Sequence, residues 1–215
     1  FNDRFWQPGG QPNLKPEQGW NQEAGVEITQ QQGRSEIRFQ LTAFNRLISD
    51  WIQWLPAGSV WTPQNVDRVW SRGLNAGTSL AFVFDKIELS YDIQYDLTFS
   101  TRQGPAPDYE REQLIYTPVH QGRLVSNLVF DNWRLRWQQE WTGRVFTRAD
   151  NSSDLPAIYL HHFSVERPFQ WRNMQLNTAL SIHNLLDTKY QRVSGRPMPG
   201  RWIEFSIITH LNFKK

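Results

Sequence analysis

Period-two patterning makes this an all-β chain, and three observations narrow the class to part of an antiparallel transmembrane β-barrel. Alternation is long and clean: Ile87, Leu89, Tyr91, Ile93, Tyr95, Leu97 and Phe99 interleave with Glu88, Ser90, Asp92, Gln94, Asp96 and Thr98, so one face is greasy and the other acidic. Several such segments reach roughly 15 residues, whereas strands of soluble sheets usually run about 3–10. Connections alternate between short ones, near Gly33, Asp85, Asp131 and Gln170, and longer ones, around Pro56 to Pro63, Gly104 to Glu112, Asn151 to Pro156 and Arg192 to Gly200. Short turns on one rim and long loops on the other are the outer-membrane arrangement, periplasmic and extracellular respectively.

Taken in order, the pattern predicts about nine strands, near 20–30, 36–54, 65–83, 87–103, 114–130, 133–149, 155–168, 174–185 and 201–213. The first carries Ala24, Val26 and Ile28 on one side. The fourth is the acidic-backed segment above. In the sixth, Leu135, Trp137, Trp141 and Val145 alternate with Arg134, Arg136, Gln138, Glu140 and Arg144, and in the last Ile203, Phe205, Ile207, Thr209 and Leu211 alternate with Glu204, Ser206, Ile208 and His210. In a soluble sandwich the polar faces would meet water and the apolar faces each other, leaving sheet edges to protect. Here the polar faces hold Glu88, Asp92, Asp96, Arg134, Arg136, Glu140, Arg144 and Glu204, a set suited to lining one enclosed lumen while the apolar faces meet lipid. Single-chain bacterial barrels have even strand numbers, so further strands are expected from before Phe1 or from another chain.

Composition agrees. With 11 Trp, 6 Tyr and 13 Phe in a chain of mean hydropathy −0.63, rings belong at boundaries between apolar and wet regions. No apolar run is long enough for a membrane-spanning helix, and the net charge of +2 carries no run of the kind that grips nucleic acid. Cysteine is absent, which removes disulfides, thiolate metal sites and thiol nucleophiles. The chain opens at Phe1 without Met or a signal peptide, as expected of a mature or truncated product.

Two motifs in order carry a family resemblance. Gln11-Pro12-Asn13-Leu14-Lys15-Pro16-Glu17, followed by Trp20, Glu23, Gly25 and Glu27, resembles the NPNLKPE signature of TonB-dependent outer-membrane receptors, with Gln11 where that family usually has Asn. Ile182-His183-Asn184-Leu185-Leu186-Asp187-Thr188-Lys189-Tyr190 and then Pro197-Met198-Pro199-Gly200-Arg201 resemble the family's NLfd.kY and P.PGR segments. The stretch from Thr42 to Ile52 is similar to another of its strands, and Phe1 to Trp6 resembles receptors of Bacteroidetes-like bacteria. The resemblance implies a 22-stranded barrel of which residues 1–215 are the C-terminal part, with the N-terminal plug absent from this chain. It implies active import of a scarce bulky nutrient: a siderophore, haem, corrinoid or glycan, with siderophore or cobalamin favoured. The implied partners are the remaining strands and plug, from the same gene product or another chain, the TonB complex through the plug, the bilayer, and a surface lipoprotein. Phe213 is followed by Lys214 and Lys215, where such barrels usually end on an aromatic residue.

Candidate chemistry is sparse. No Gly-x-Ser-x-Gly, His-Glu-x-x-His or Walker loop is present, so no enzyme, cofactor or metal is expected. His161 and His162 are adjacent and point to opposite faces of a strand, one to the lumen and one to an interface. Asp92 and Asp96 lie about 13 Å apart on an extended strand, too far for a coupled acid pair. Solute contacts are expected from the outer loops, through Trp6, Trp61, Tyr109, Arg111 and Tyr116, whose alternative role is loop packing. Trp51, Trp54, Trp133, Trp137 and Trp202 are expected at membrane interfaces. The other function classes are a passive porin or adhesion barrel and a soluble carbohydrate-binding sandwich.

Overall fold

The computed structural model describes residues 2–103, 111–171 and 174–211. After one helical turn, α1 (Asn2–Phe5), the described residues form thirteen strands: β1 (Gln18–Gln32), β2 (Ser35–Ala57), β3 (Val60–Phe84), β4 (Ile87–Gln103), β5 (His120–Phe130), β6 (Trp133–Thr142), β7 (Val145–Phe146), β8 (Asp154–Leu155), β9 (Ile158–Trp171), β10 (Met174–His183), β11 (Gln191–Val193), β12 (Arg196–Pro197) and β13 (Trp202–Leu211). Nine of them build one antiparallel meander in the order β1-β2-β3-β4-β5-β6-β9-β10-β13, as the sequence pattern predicts; β7–β8 and β11–β12 are small hairpins within loops. Among the described residues β1 and β13 each have a free outer edge, so the sheet is an open segment of wall.

Directly paired residues share a face, so register assigns the two sides. One row runs Phe82, Leu89, Leu128, Leu135, Val165, Leu180 and Phe205 across seven strands without a polar break. Among the described residues this apolar face is left open, with Phe205 65% and Ile203 66% exposed. Near the short-turn rim, Phe130 pairs with Trp133 on this face. Higher up, Tyr95, His120, Trp141 and Tyr159 stack ring on ring across four strands at centroid spacings of 5.9–6.3 Å. Gly122 sits opposite Trp141 and leaves room for its ring, since a Cβ there would lie only 3.3 Å from Trp141 Cε3. Trp133 and Trp141 are eight residues apart on β6. That is about 27 Å along a strand, or about 20 Å of height at a usual barrel tilt, close to the apolar band of an outer-membrane barrel.

Three two-residue turns on the short rim begin with a left-handed residue, at Gly33 (φ 60°), Asp85 (φ 47°) and Asp131 (φ 51°), which suits the twist of tightly joined strands. The long connection expected around Pro56 to Pro63 is instead a two-residue turn at Gly58 and Ser59, with Pro56 paired to Trp61 and Pro63 to Trp54 inside the strands. β2 is 23 residues long and β3 25, so their hairpin outgrows both neighbours. Prolines are tolerated there because the outer edges of the tip have no ladder to complete. Two strands are shorter than expected. Residues 114–119 fold as a loop ahead of β5, and β6 stops at Thr142, where Gly143 donates its N–H to the His120 carbonyl at 2.8 Å.

The tryptophans divide. Trp133 and Trp137 lie on the apolar face. Trp51 packs instead against the small cluster of Val69 and Leu114, Trp54 sits in the hairpin tip, and Trp202 pairs with His183 on the polar face.

Candidate functional site at the long-loop rim and the polar face

The N-terminal segment is tied along the β2–β3 hairpin. Leu14 is buried, Arg4 donates to the Leu14 carbonyl at 2.6 Å, and Trp54 Nε1 donates to Asp3 Oδ1 at 2.8 Å. Asn65 clamps Lys15 from both sides: its Oδ1 accepts the Lys15 N–H at 2.8 Å and its Nδ2 donates to the Lys15 carbonyl at 3.1 Å. Glu17 Oε1 accepts the Ile52 N–H at 2.7 Å, supplying an acceptor where β2 has outrun β1. The Pro-Asn-Leu-Lys-Pro-Glu stretch is thus a seal between the chain start and the hairpin.

Loop 111–119 folds onto the polar face. Leu114 is buried against Val69, and its N–H donates to the Ser100 carbonyl at 2.8 Å. Buried Gln113 reaches three backbone groups, accepting from Ser100 N–H and donating to the carbonyls of Thr117 and Thr98. Of the residues expected to contact solute, Trp61 and Tyr116 come together here, rings 5.7 Å apart and tilted 54°. Trp6 is exposed beside the same hairpin, and Arg111 is exposed at φ 72°. Tyr109 lies outside the described residues.

A third loop is built around Asn184, only 3% exposed and at φ 50°. Its Oδ1 accepts the Thr188 N–H at 2.9 Å, while Nδ2 donates to the carbonyls of Thr188 at 2.9 Å and Pro199 at 3.4 Å. Asp187 continues the latch: Oδ1 accepts the Arg201 N–H at 2.8 Å and Oδ2 meets Lys189 Nζ at 3.0 Å. The Arg201 amide first, then Lys189, hold this exposed carboxyl below the ordinary aspartate range. A Cβ at Gly200 would come within 2.5 Å of Asp187 Oδ1, so a larger residue there would displace that carboxylate from its partners. In the β7–β8 connection, the Ser152 hydroxyl and amide likewise lower the Asp150 carboxyl. Between these two loops opens a cavity of about 380 Å³ whose lining includes Leu155, Ile158, Tyr190 and Met198. Sequence reasoning missed it. The only signal was the Asn-Leu-Leu-Asp-Thr-Lys-Tyr motif itself, whose Asn and Asp are the loop's scaffold.

On the polar face, Glu88, Asp92 and Asp96 line β4, and Arg134, Arg136 and Glu140 line β6. Asp92 accepts from Ser79 and Asp96 from Asn75. Arg136 donates to Gln138, and Glu140 faces Arg192 at 3.8 Å. Glu204, on the same face, lies 3.5 Å from His183 Nε2, and the His183 ring stacks on Trp202 at 3.8 Å. Arg144 falls past the end of β6 and rests over the Phe146 ring at 5.3 Å. His162 is on this face beside Gln138, and His161 is on the apolar face beside Gln139. No cluster of three or more metal-ligating side chains occurs among the described residues.

A family model described as TonB dependent receptor-like, beta-barrel matches residues 1–185. The chain belongs to this family. The receptor segment is 26% identical over 197 residues to the vitamin B12 transporter BtuB of Photobacterium profundum, covering 88% of this chain and 30% of that protein. BtuB of Vibrio vulnificus is 37% identical over 79 residues, 34% of this chain and 12% of that one. Similar solved folds include the ferric yersiniabactin uptake receptor FyuA of Yersinia pestis, at TM-score 0.66 and 16% identity, covering 92% of this chain and 30% of FyuA. Another is the ferric-catecholate import receptor Fiu of E. coli K12, at TM-score 0.64 and 16% identity, over 92% of this chain and 28% of Fiu. The receptor segment therefore spans about 30% of the length of BtuB from Photobacterium profundum. These relatives are bacterial outer-membrane transporters and receptors, not enzymes, and the segment is outer-membrane barrel wall.

Proposed function

We propose that the complete protein imports a scarce, bulky nutrient across the outer membrane with energy delivered through TonB, and that this segment supplies wall and capture loops. The observation that carries the reading is the inward fold of loop 111–119, which seats Leu114 on Val69 above an ionic wall. Loops that narrow the mouth of a wide polar interior suit capture of one large solute better than free diffusion of many small ones. Trp6, Trp61, Tyr109, Arg111 and Tyr116 are the proposed capture set, joined by the cavity beside Tyr190 and Met198. Glu88, Asp92, Asp96, Arg134, Arg136, Glu140 and Glu204 are the proposed lumen wall facing a plug domain, through which the TonB complex acts.

A corrinoid is the leading cargo, because a vitamin B12 transporter matches across 88% of the chain. A ferric siderophore is the second, on fold likeness to siderophore receptors. Cells carrying the full-length gene should accumulate labelled cyanocobalamin only when TonB is functional, with Trp61→Ala and Tyr116→Ala weakening uptake at low concentration. Accumulation that persists without TonB would make the protein a passive pore, and uptake of ferric siderophore alone would reassign the cargo.

A further inference from the structure

On the apolar face, at the level of the lower aromatic tier, stands a cation. Arg167 continues the β6–β9 register directly across from Trp133, and its guanidinium sits 4.7 Å from that ring's centroid. Its direct partner on β10 is Thr178, whose hydroxyl donates to the Arg167 backbone carbonyl and leaves the guanidinium alone. The neighbouring carboxylate, Glu166, points to the opposite face with Arg134 and Ala179. Arg167 has no ion pair among the described residues. By contrast Arg72, on the same face, is engaged by the Thr101 hydroxyl at 3.1 Å and stacks on Trp70 at 3.8 Å. Arg167 opens onto a shallow groove of about 540 Å³ whose walls include Trp133, Val165, Phe169, Leu180 and Phe205. Val165, Leu180 and Phe205 belong to the continuous apolar row, so the groove leads from the rim toward mid-membrane.

We propose that this groove is a binding site for one glycerophospholipid of the periplasmic leaflet, with its phosphate on Arg167 and an acyl chain along Val165, Leu180 and Phe205. Three features select that occupant. The face is lipid-exposed in an outer-membrane barrel, so hydrocarbon covers the groove. Its single cation stands at headgroup depth, beside an interfacial tryptophan, where an arginine is tolerated and a phosphate is within reach; at mid-membrane the same arginine would cost about 2–4 kcal/mol. From the cation, Val165, Leu180 and Phe205 lead toward the bilayer centre while Phe169 closes the rim side, a path that suits an acyl chain leaving a headgroup held at the cation. The site rests on the membrane assignment of the wall and is independent of the transported nutrient.

The test is native mass spectrometry of the detergent-solubilised full-length protein titrated with dioleoyl phosphatidylglycerol. Wild type should retain one lipid more tightly than the rest, and Arg167→Gln should weaken that lipid about tenfold, the value of one charge-assisted contact. Lys86→Gln, which removes a cation from the β3–β4 turn on the same rim, should leave it unchanged. Leu180→Trp fills the groove without altering charge and should also release the lipid; heat-modifiable gel migration verifies that each variant folds. Equal losses in Arg167→Gln and Lys86→Gln would reduce the effect to general surface charge and overturn the site. So would displacement by millimolar inorganic phosphate, lipid retention unchanged in Arg167→Gln, or a lipid-free dimer that Leu180→Trp disrupts.

Discussion

Replacing Asn184 should unlatch the loop between β10 and β13. The side chain is 3% exposed, makes two hydrogen bonds at 2.9 Å with Thr188 and one at 3.4 Å with Pro199, and its backbone is left-handed at φ 50°. A net hydrogen bond contributes about 0.5–1.5 kcal/mol, and a buried group left without its partner costs about 1–3 kcal/mol. Alanine in a left-handed conformation adds about 1–2 kcal/mol. These contributions share one turn and do not simply add, so Asn184→Ala should cost about 3–4 kcal/mol, a loop-opening equilibrium raised by two to three powers of ten. Asn184→Gly relieves the backbone but not the lost bonds and should cost about 2–3 kcal/mol. Asn184→Asp keeps an acceptor for Thr188 N–H but turns an oxygen on the two carbonyls, so it should match alanine. Limited proteolysis between residues 184 and 201 of the folded full-length protein, under conditions where cleavage follows the open fraction, reads the difference. If Asn184→Ala is cleaved at the wild-type rate, or if glycine is no better than alanine, the latch reasoning fails.

Three further outcomes follow from single contacts. At Gly73 a Cβ would collide with the Leu97 carbonyl oxygen and come within 2.9 Å of the Phe44 ring, so Gly73→Val should block the β3–β4 pairing and abolish the heat-modifiable folded band. Asp187 has its pKa depressed in the folded loop by the Arg201 amide and then by Lys189, so the stability it gives is present above the unfolded aspartate pKa of about 3.9 and is lost as pH falls through the lower folded value. Proteolysis of loop 184–201 should therefore quicken in acid below that point, and Asp187→Asn should flatten the dependence. Glu17→Ala leaves the Ile52 amide without its acceptor and should speed hydrogen exchange at that amide by about tenfold, with Glu17→Gln restoring protection.

The spanning part of the wall was legible because its physics is one-dimensional. Alternation in the segment from Ile87 to Phe99 fixes which side chains share a face, and the paired register carries that choice to every neighbour. Short turns were legible at Gly33, Asp85 and Asp131 for the same local reason, a residue tolerant of positive φ. What misled was proline. Pro56 and Pro63 break a central strand, and nothing local reveals that β2 and β3 extend past their neighbours, where a missing N–H costs no ladder bond. The loop site was harder still. The cavity beside Tyr190 and Met198 is made by two loops from different hairpins; the contacts of Asn184 and Asp187 shape the second of them, and Thr188 Oγ1 donating to the Tyr159 carbonyl at 3.3 Å ties that loop to β9. Trp202 resembles an interfacial anchor until register places it opposite His183 on the polar face.

The polar face is striped in a way that bears on what must fill the barrel. β4 presents Glu88, Asp92 and Asp96, and β6 presents Arg134 and Arg136; between them β5 sets Val129 against Glu88 and Arg134, and Val125 against Asp92 and Gln138. At these two levels acid on β4 and base on β6 are thus held two strands apart, about 10 Å, beyond reach of a direct ion pair and near the screening length of physiological salt. Elsewhere on the face Arg123 of β5 lies between Gln94 and Glu140, and Glu166 of β9 stands opposite Arg134. Val125 and Val129 keep Asp92 and Glu88 from being neutralised across the wall at their own levels. The β4 carboxylates and Arg136 then stay available to whatever faces them in the lumen, and a plug complementary to them would carry basic groups opposite β4 and an acidic group opposite Arg136. A wall that paired its own charges would hold a plug by shape alone. One that leaves charges of both signs unpaired would favour one rotation of such a plug, because turning it by two strands would set like charges together. Exchanging the stripes, with Asp92→Arg and Arg136→Glu in one protein, should therefore disturb plug seating more than either change does in a wall that remains complementary elsewhere. Single-channel conductance of the full-length protein, closed in wild type and leaky in the exchanged variant, would read it, and a variant as tightly closed as wild type would remove the charge register from the account.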